Sequence, residues 1–473
     1  MSKSSVIKLL FAFLISVGSL TAVAQTEITG KIVDFATFEP VVGANIYIQN
    51  STVGTVSNTD GKYALKIPQR YVNDTLVISS IGYKSFKTAI QDYDFSQDLY
   101  LEEDVASLDE ILIVADTRPK TGNDIVLRAL ERLERNAPDS AYIQKAFLRH
   151  KEKNKNEYKW LIESAITLYD SSYAYGKSND VKISVDENRK SYDLRDVDSV
   201  FTYYSYLKNK RNLDLKSRQL RRDTIQKSSL VKAIKWNDER TNGLDNLFNG
   251  KLNLVRNSNR TSALFGKNML EKHQFSLDTI LVDNDRKLYK IKISKSSDFV
   301  GLNTPGIFNE GFEAQGWIYI YWDNFAIKKL EYELVAASEA QKRRSKSLFG
   351  TQLNHKLIIT YKEFEGKMYP SYIYYETPKL VNIGDRSSDR PKDQTQEEKD
   401  EQFYFTIQEI VFTEIIQDPV VISAALNKNW NDNIFEPRPY NKEFWESYNV
   451  LLESEEEEQL IRDLSKRASL FQQ

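Results

Sequence analysis

Ile28-Thr-Gly-Lys-Ile-Val-Asp34, Pro40-Val-Val-Gly-Ala-Asn-Ile-Tyr-Ile48 and Gly54-Thr-Val-Ser-Asn-Thr-Asp-Gly-Lys-Tyr-Ala-Leu65 decide the fold of the N-terminal part of the chain. In the second run Ala44, Ile46 and Ile48 fall on one face, with Asn45, Tyr47 and Gln49 on the other. Period two with β-branched residues marks a half-buried strand. Asp60-Gly61 stands between two such runs and predicts a hairpin turn, because glycine accepts positive φ without steric cost. Leu76-Val-Ile-Ser-Ser-Ile-Gly-Tyr83 and Leu99-Tyr-Leu101 add further strands. Short strands at this spacing predict a β-sandwich rather than a βαβ unit.

Gly30-x-Ile32-x-Asp34, Pro40-x-x-Gly43-Ala44-x-Ile46, Gly54-Thr55, Asp60-Gly61-x-Tyr63 and Ile81-Gly82-Tyr83 follow one another in the order of a known pattern. On these residues the stretch resembles the carboxypeptidase regulatory-like domain, a transthyretin-like sandwich. The resemblance implies a scaffold without catalysis of its own, of the kind that precedes bacterial envelope proteins, outer-membrane receptors included.

Upstream, Lys3 and Lys8 precede the apolar run Leu9 to Val17, and Ala22-Val-Ala24 supplies the small-x-small pattern of a signal peptidase site. Charge, a short apolar core and a cleavage site in that order predict a secretory signal peptide over residues 1–24, with Gln25 first in the mature chain. No later run reaches the roughly 20 apolar residues of a membrane helix, so no transmembrane segment is expected after cleavage. Export to the periplasm, or peripheral association with the outer membrane, follows. The 473-residue chain has room for two or three domains, and its 12% aromatic content suits sheets that bury aromatic faces. A formal charge of -2 supplies no global field for nucleic acid. Cysteine is absent, which removes disulfides, thiolate metal sites, a cysteine nucleophile and a lipidated N-terminal cysteine.

The expected division is a sandwich over 25–103, a linker and strand over 104–121 containing Ile111-Leu-Ile-Val-Ala115, a helix plus antiparallel β domain over 122–440, and a helical tail over 441–473. Gly122 to Asn136 is the clearest helix, with Ile125, Ala129, Leu130 and Leu133 on one stripe and Asn123 or Asp124 as N-cap. Tyr142–His150 and Trp160–Tyr169 read as strands joined by a charged hairpin, Lys151 to Tyr158. That helix, Ala146-Phe-Leu-Arg149 and Glu163-Ser-Ala165 together are similar to a family of uncharacterised bacterial envelope proteins. Its members place the regulatory-like sandwich before a helix and a β-rich domain, so the resemblance implies architecture and no mechanism. Lys208 to Arg222 is strongly basic and reads as a solvated helix face, with an anionic lipid or glycan patch as its functional alternative. Ser228 to Asn249 reads as amphipathic helices that could lie as a lid over the following sheet.

From Phe275 to Thr377 strand patterns succeed one another, centred on Gly316-Trp-Ile-Tyr-Ile-Tyr-Trp322. Trp317, Tyr319 and Tyr321 share one face there, and they are the candidate ligand-binding residues. A slip in alternation at Lys328-Lys329 predicts a β-bulge. Gly-Trp-Ile-Tyr-Ile-x-x-Asp-x-Phe-Ala-Ile-x-x-Leu is similar to the half-barrel of periplasmic lipoprotein carriers, which implies a curved sheet sheltering acyl chains. Leu380 to Glu401 reads as an exposed polar loop, Asn433 to Tyr440 as a Pro-rich strap pinned by Phe444-Trp445, and Glu455 onward as a closing helix striped by Leu460, Ile461, Leu464 and Leu470.

No Gly-x-Ser-x-Gly, His-Glu-x-x-His, P-loop or dinucleotide pattern occurs. The three histidines, His150, His273 and His355, have no partners at ligand spacing. His150-Lys-Glu152 reads as surface, and the other two as structural or exposed. The expected protein is thus mainly β: an N-terminal sandwich plus a larger, half-barrel-like antiparallel sheet with packing helices. It should act without enzymatic chemistry, metal or cofactor, as an envelope scaffold or binding module for a protein partner or lipid-like ligand. Two alternatives stand beside it: a carboxylate-dependent hydrolase of envelope glycan or peptide, and a structural assembly factor for an outer-membrane complex.

Overall fold

The computed structural model describes residues 26–92, 94, 97–104, 118–154, 157–172, 181–192, 269–295, 311–349, 352, 354–380, 403–436 and 438–465, with isolated positions between 203 and 236. The expected signal peptide, the strand Ile111–Ala115, the basic run Lys208–Arg222, the loop Leu380–Glu401 apart from Leu380 itself, which ends a strand, and Leu470 lie outside these residues, as does most of Ser228–Asn249.

Seven short strands build the N-terminal unit: β1 (Thr26–Asp34), β2 (Asn45–Ile48), β3 (Gly54–Val56), β4 (Lys62–Ile67), β5 (Thr75–Ser79), β6 (Phe86–Ala89) and β7 (Leu99–Leu101). They form a three-stranded sheet, β4-β1-β7, and a four-stranded sheet, β3-β2-β5-β6. Ile28, Ile32, Ala44, Ile46, Ile48, Leu65, Leu76 and Ile78 fill the space between them. Each such isoleucine or leucine contributes about 1.5–3 kcal/mol by leaving water. The Asp60-Gly61 turn is real, with φ at Gly61 of 74°, but it does not make a hairpin. β3 pairs with β2 and β4 with β1, so the turn hands the chain from one sheet to the other. The Asn58 side chain stabilises it by accepting from the amides of Asp60 and Lys62. A local turn signal carries no information on which strands pair across it, hence the difference.

The larger unit is one antiparallel sheet of β8 (Tyr142–Asn154), β9 (Tyr158–Asp170), β10 (Val181–Tyr192), β11 (His273–Asp283), β12 (Arg286–Lys295), β13 (Phe312–Tyr321), β14 (Ile327–Ala336), β15 (Asn354–Phe364), β16 (Lys367–Leu380) and β17 (Phe403–Ile416). Its order is β10-β9-β8-β17-β16-β15-β14-β13-β12-β11. Two meanders are therefore zipped together by β8 against β17, and β10 and β11 form opposite edges. Burial alternates strictly along β14, as period two requires. The slip expected at Lys328-Lys329 is present: Tyr319 faces Lys329 and Ile320 faces Ile327, which leaves Lys328 bulged. Gly316 answers a close approach at the same hairpin. Its φ is 131°, and a Cβ there would stand 2.1 Å from the Glu331 carbonyl oxygen. Gly316→Ala is expected to cost at least about 2 kcal/mol through backbone strain, read as a drop in the urea midpoint with the slope unchanged.

One face of the sheet, the core face, carries Leu148, Ile166, Ile318, Leu330, Ile359, Ile373 and Ile410 in a single cluster. Helix α1 (Gly122–Glu131) packs on it through Ile125, Val126 and Ala129, followed by the single turn α2 (Leu133–Asn136). The helix cap is Thr121, not Asn123 or Asp124: the Thr121 hydroxyl oxygen accepts from the Asp124 amide. Asn123 instead accepts from the Phe275 amide on the edge strand β11. At the opposite edge the Val185 amide donates to the Asn431 carbonyl. Both edges thus have part of their backbone polarity covered, which discourages pairing with another chain.

The strap behaves differently from expectation. Ile434 and Phe435 enter the core face, whereas Trp445 packs with Phe147 and Val411 on the other face. The chain rounds the β10 edge between them, so Phe444 and Trp445 do not pin the strap. Beyond β17 come α3 (Pro419–Leu426), capped by Asp418, then α4 (Lys442–Ser447) and α5 (Glu455–Ser465). Leu460 and Leu464 of α5 bury against Tyr158 and Leu161 of the sheet.

Candidate functional site

The sandwich lies on the second face of the large sheet, and the seam between them gathers most of the unusual side chains. Three sets of contacts make it. Val56 of β3 joins Phe147, Ala165, Val411, Trp445 and Leu451 in one apolar cluster. At the β11–β12 turn, Asn284 and Asp285 adopt positive φ, 49° and 62°, as a tight two-residue hairpin demands. This turn presents the Asn284 side-chain oxygen Oδ1 as acceptor to the Ser85 hydroxyl at 2.8 Å, while the Gly82 amide donates to the Val282 carbonyl at 2.8 Å. The third set comes from the C-terminal segment. The Lys66 amide donates to Asn449 Oδ1 at 2.7 Å, Asn58 Nδ2 to the Glu453 carbonyl at 3.1 Å, and the Glu455 amide to Asp60 Oδ2 at 2.8 Å.

Behind this clamp lies a buried charge cluster that sequence reading missed. Glu163 of β9 accepts from Arg149 Nε at 2.8 Å and from Arg189 Nε at 2.6 Å. Arg149 also donates to the Leu451 carbonyl at 2.8 Å, and the Arg189 guanidinium lies 4.7 Å from the Trp445 ring centre. Lys151, read as the start of a charged hairpin, instead continues β8, is buried and pairs with Glu409 at 3.0 Å. The strands run further than their alternation suggested, and the partners come from distant sequence. His150 and Glu152, expected at the surface, are fully buried on the core face for the same reason. His273 and His355 are structural, as the sequence allowed: His273 Nε2 lies 2.7 Å from the Tyr332 hydroxyl, and His355 Nδ1 2.8 Å from Thr377 Oγ1.

Between the two units sits a cavity of about 610 Å3, walled by Tyr47, Val77 and Lys87 of the sandwich and by Tyr321, Lys328 and Lys362 of the sheet, among others. Asp283 Oδ2 accepts from the Tyr321 hydroxyl at 2.6 Å and pairs with Lys328 at 3.5 Å. Burial, then the Asp283 charge, push the Tyr321 phenol well above its ordinary value. Arg286 covers the Tyr321 ring, 3.8 Å from its centre, and is tied to Asp323 and Glu363. Lys362 Nζ donates to the Thr52 carbonyl of the sandwich at 2.8 Å. Burial, followed by the charge of Lys328, brings its ammonium down to about 8.

The three aromatic candidates share the seam side of β13 but do not form one pocket. Trp317 lies under the Lys290 ammonium, 5.0 Å from its ring centre. Tyr319 donates to Glu331 at 3.2 Å beside Lys329, and burial raises its phenol. Tyr321 alone reaches the cavity. Among the described residues no group of three or more His, Asp or Glu is placed to hold a metal ion, and no helix is long and apolar enough to cross a membrane.

Comparison with known proteins gives the N-terminal unit a class. Residues 28–113 match the CarboxypepD_reg-like domain, and a β-rich region follows. Over 96 residues the chain is 32% identical to the TonB-dependent receptor SusC of Bacteroides thetaiotaomicron, an alignment covering 20% of this chain and 9% of that protein. The chain thus spans about a tenth of that relative's length. Two solved structures align weakly. A LolA superfamily protein from Nitrosomonas europaea covers 67% of this chain and 99% of its own, at 10% identity and a TM-score of 0.22. A DUF1329 family protein from Desulfovibrio piger covers 63% and 92%, at 9% identity and a TM-score of 0.20. Neither is near enough to support an argument.

Proposed function

We propose that this protein is a non-enzymatic scaffold of the bacterial cell envelope, in which the regulatory-like sandwich is a fixed layer of a larger binding body. The observation that carries this reading is the seam. Apolar packing, a tight hairpin tip and the C-terminal clamp all hold the sandwich to the sheet, so it is built in rather than tethered. Buried charge points the same way. Glu163, Glu409 and Asp283 are each engaged by a neighbouring cation, which suits rigid structure better than proton transfer. Export rests on the Ala22-Val-Ala24 pattern and on the likeness to a receptor with TonB-dependent function. An envelope protein or a lipid-like molecule is the proposed partner. Of the three aromatic candidates, Tyr321 is the one whose ring at the cavity wall supports a role in holding it; Trp317 and Tyr319 would act only through the sheet face they share with it.

Two measurements test the proposal. The protein expressed with its own leader should fractionate with the envelope and begin at Gln25, and Ala24→Glu should leave the longer, uncleaved form. Incubated with cell-wall glycan or peptide, the purified chain should release no product. Turnover abolished by one acidic substitution would reject the scaffold reading in favour of a hydrolase.

A further inference from the structure

We propose that the cavity between sandwich and sheet is a binding site for a small organic anion, a carboxylate or phosphate head carrying a short apolar body, gripped from both walls by Lys87 and Lys362. The inference begins with the charges around the cavity. Lys328 is paired with Asp283, and Arg286 with Asp323 and Glu363. Lys362 has no carboxylate within 4 Å among the described residues; its ammonium donates to the neutral Thr52 carbonyl at 2.8 Å, and the Glu414 charge reaches it only from beyond ion-pair distance. Lys87, on β6, faces the same space from the sandwich and is likewise outside every ion pair among the described residues. An ammonium in a partly dehydrated site is costly without a counter-charge, and the lowered proton affinity of Lys362 records that cost. An incoming anion would supply the missing charge. Glu365 at the rim is the acidic group of the lining not engaged by Arg286.

The rest of the wall sets the other half of the ligand. Val77 from the sandwich and Val411 from the sheet give apolar surface, and the Tyr47 and Tyr321 rings add flat faces. At about 610 Å3 the space falls within the roughly 300–1,000 Å3 of small-molecule sites. A head held by two lysines and a body against these side chains fits an amphiphilic monoanion better than a bare ion or a neutral tail. Because the two lysines come from different units, the ligand would also bridge the seam.

Titration calorimetry on the full chain at neutral pH tests this with three probes: octanoate, which has head and tail, inorganic phosphate, which has only the head, and octyl glucoside, which has a tail without charge. Octanoate is expected to bind saturably at one site, with the other two at least tenfold weaker. Lys87→Gln and Lys362→Gln should each weaken octanoate at least tenfold. Lys87 is exposed, so its replacement tests the grip without loosening the seam, and unchanged far-ultraviolet dichroism would verify the fold of both variants. Absence of saturable octanoate binding, equal binding of octyl glucoside, or undiminished affinity in Lys87→Gln would each overturn the proposal. Failure here would leave the envelope scaffold intact, since fractionation and turnover read that independently.

Discussion

Glu163→Ala should lower the unfolding free energy by about 3–5 kcal/mol, the range for deleting one partner of a buried ion pair. The carboxylate is fully buried and serves two guanidinium groups, Arg149 at 2.8 Å and Arg189 at 2.6 Å. Its removal strands both cations, Arg189 against the Trp445 ring and Arg149 against the Phe147 ring, with the Leu451 carbonyl still holding Arg149. Charge-assisted hydrogen bonds of this kind are short and strong, so the neutral Glu163→Gln should be almost as harmful. A triple replacement, Glu163→Leu with Arg149→Met and Arg189→Met, should recover most of the loss, because the cost lies in the unmatched charges rather than in the absence of the pair. Urea midpoints read all three variants. A Glu163→Ala protein as stable as the parent would remove the charge cluster from any account of this fold.

Trp445→Ala is expected to cost a similar amount, about 3–5 kcal/mol, as large aromatic truncations in cores do, but its effect should be local as well as global. Trp445 is where β3, β8, β17 and the C-terminal segment meet, packed against Val56, Phe147 and Val411. Amide hydrogen exchange separates the two effects. The amides of Val56 and Lys66 should lose protection first, the latter because its partner Asn449 sits on the loosened clamp. Amides of β13, far along the sheet, should follow only the global change. Uniform acceleration across both regions would show that the sandwich and sheet unfold as one body whatever holds them.

Strands were legible because alternation is a local signature. Ala44, Ile46 and Ile48 all point into the sandwich core, and the bulge at Lys328 follows from a slip visible in six residues. Pairing was not legible to the same degree. Asp60-Gly61 bends the chain as glycine permits, yet the strands beside it belong to different sheets. Lys151 read as the start of a charged hairpin because Glu409, which neutralises it, stands on the distant strand β17. His150 and Glu152 misled similarly, since strand length depends on the neighbour that covers it. The seam cavity is the extreme case. Lys87 and Lys362 have nothing in common in the sequence, and only the docking of one unit on the other sets them across a shared space.

The clamp fixes an order of events. The residues that fasten the sandwich lie up to 395 positions further along the chain, from Asn58 to Glu453, and β8 waits for β17 before its own ladder is complete. Contacts of such long separation form slowly, since the loop between them must close first. During synthesis the sandwich strands therefore emerge long before anything exists to latch them. On the export route proposed above, such wiring favours a chain that stays extended until its whole length is across the membrane, and any helper that delays its collapse should raise the yield of native molecules.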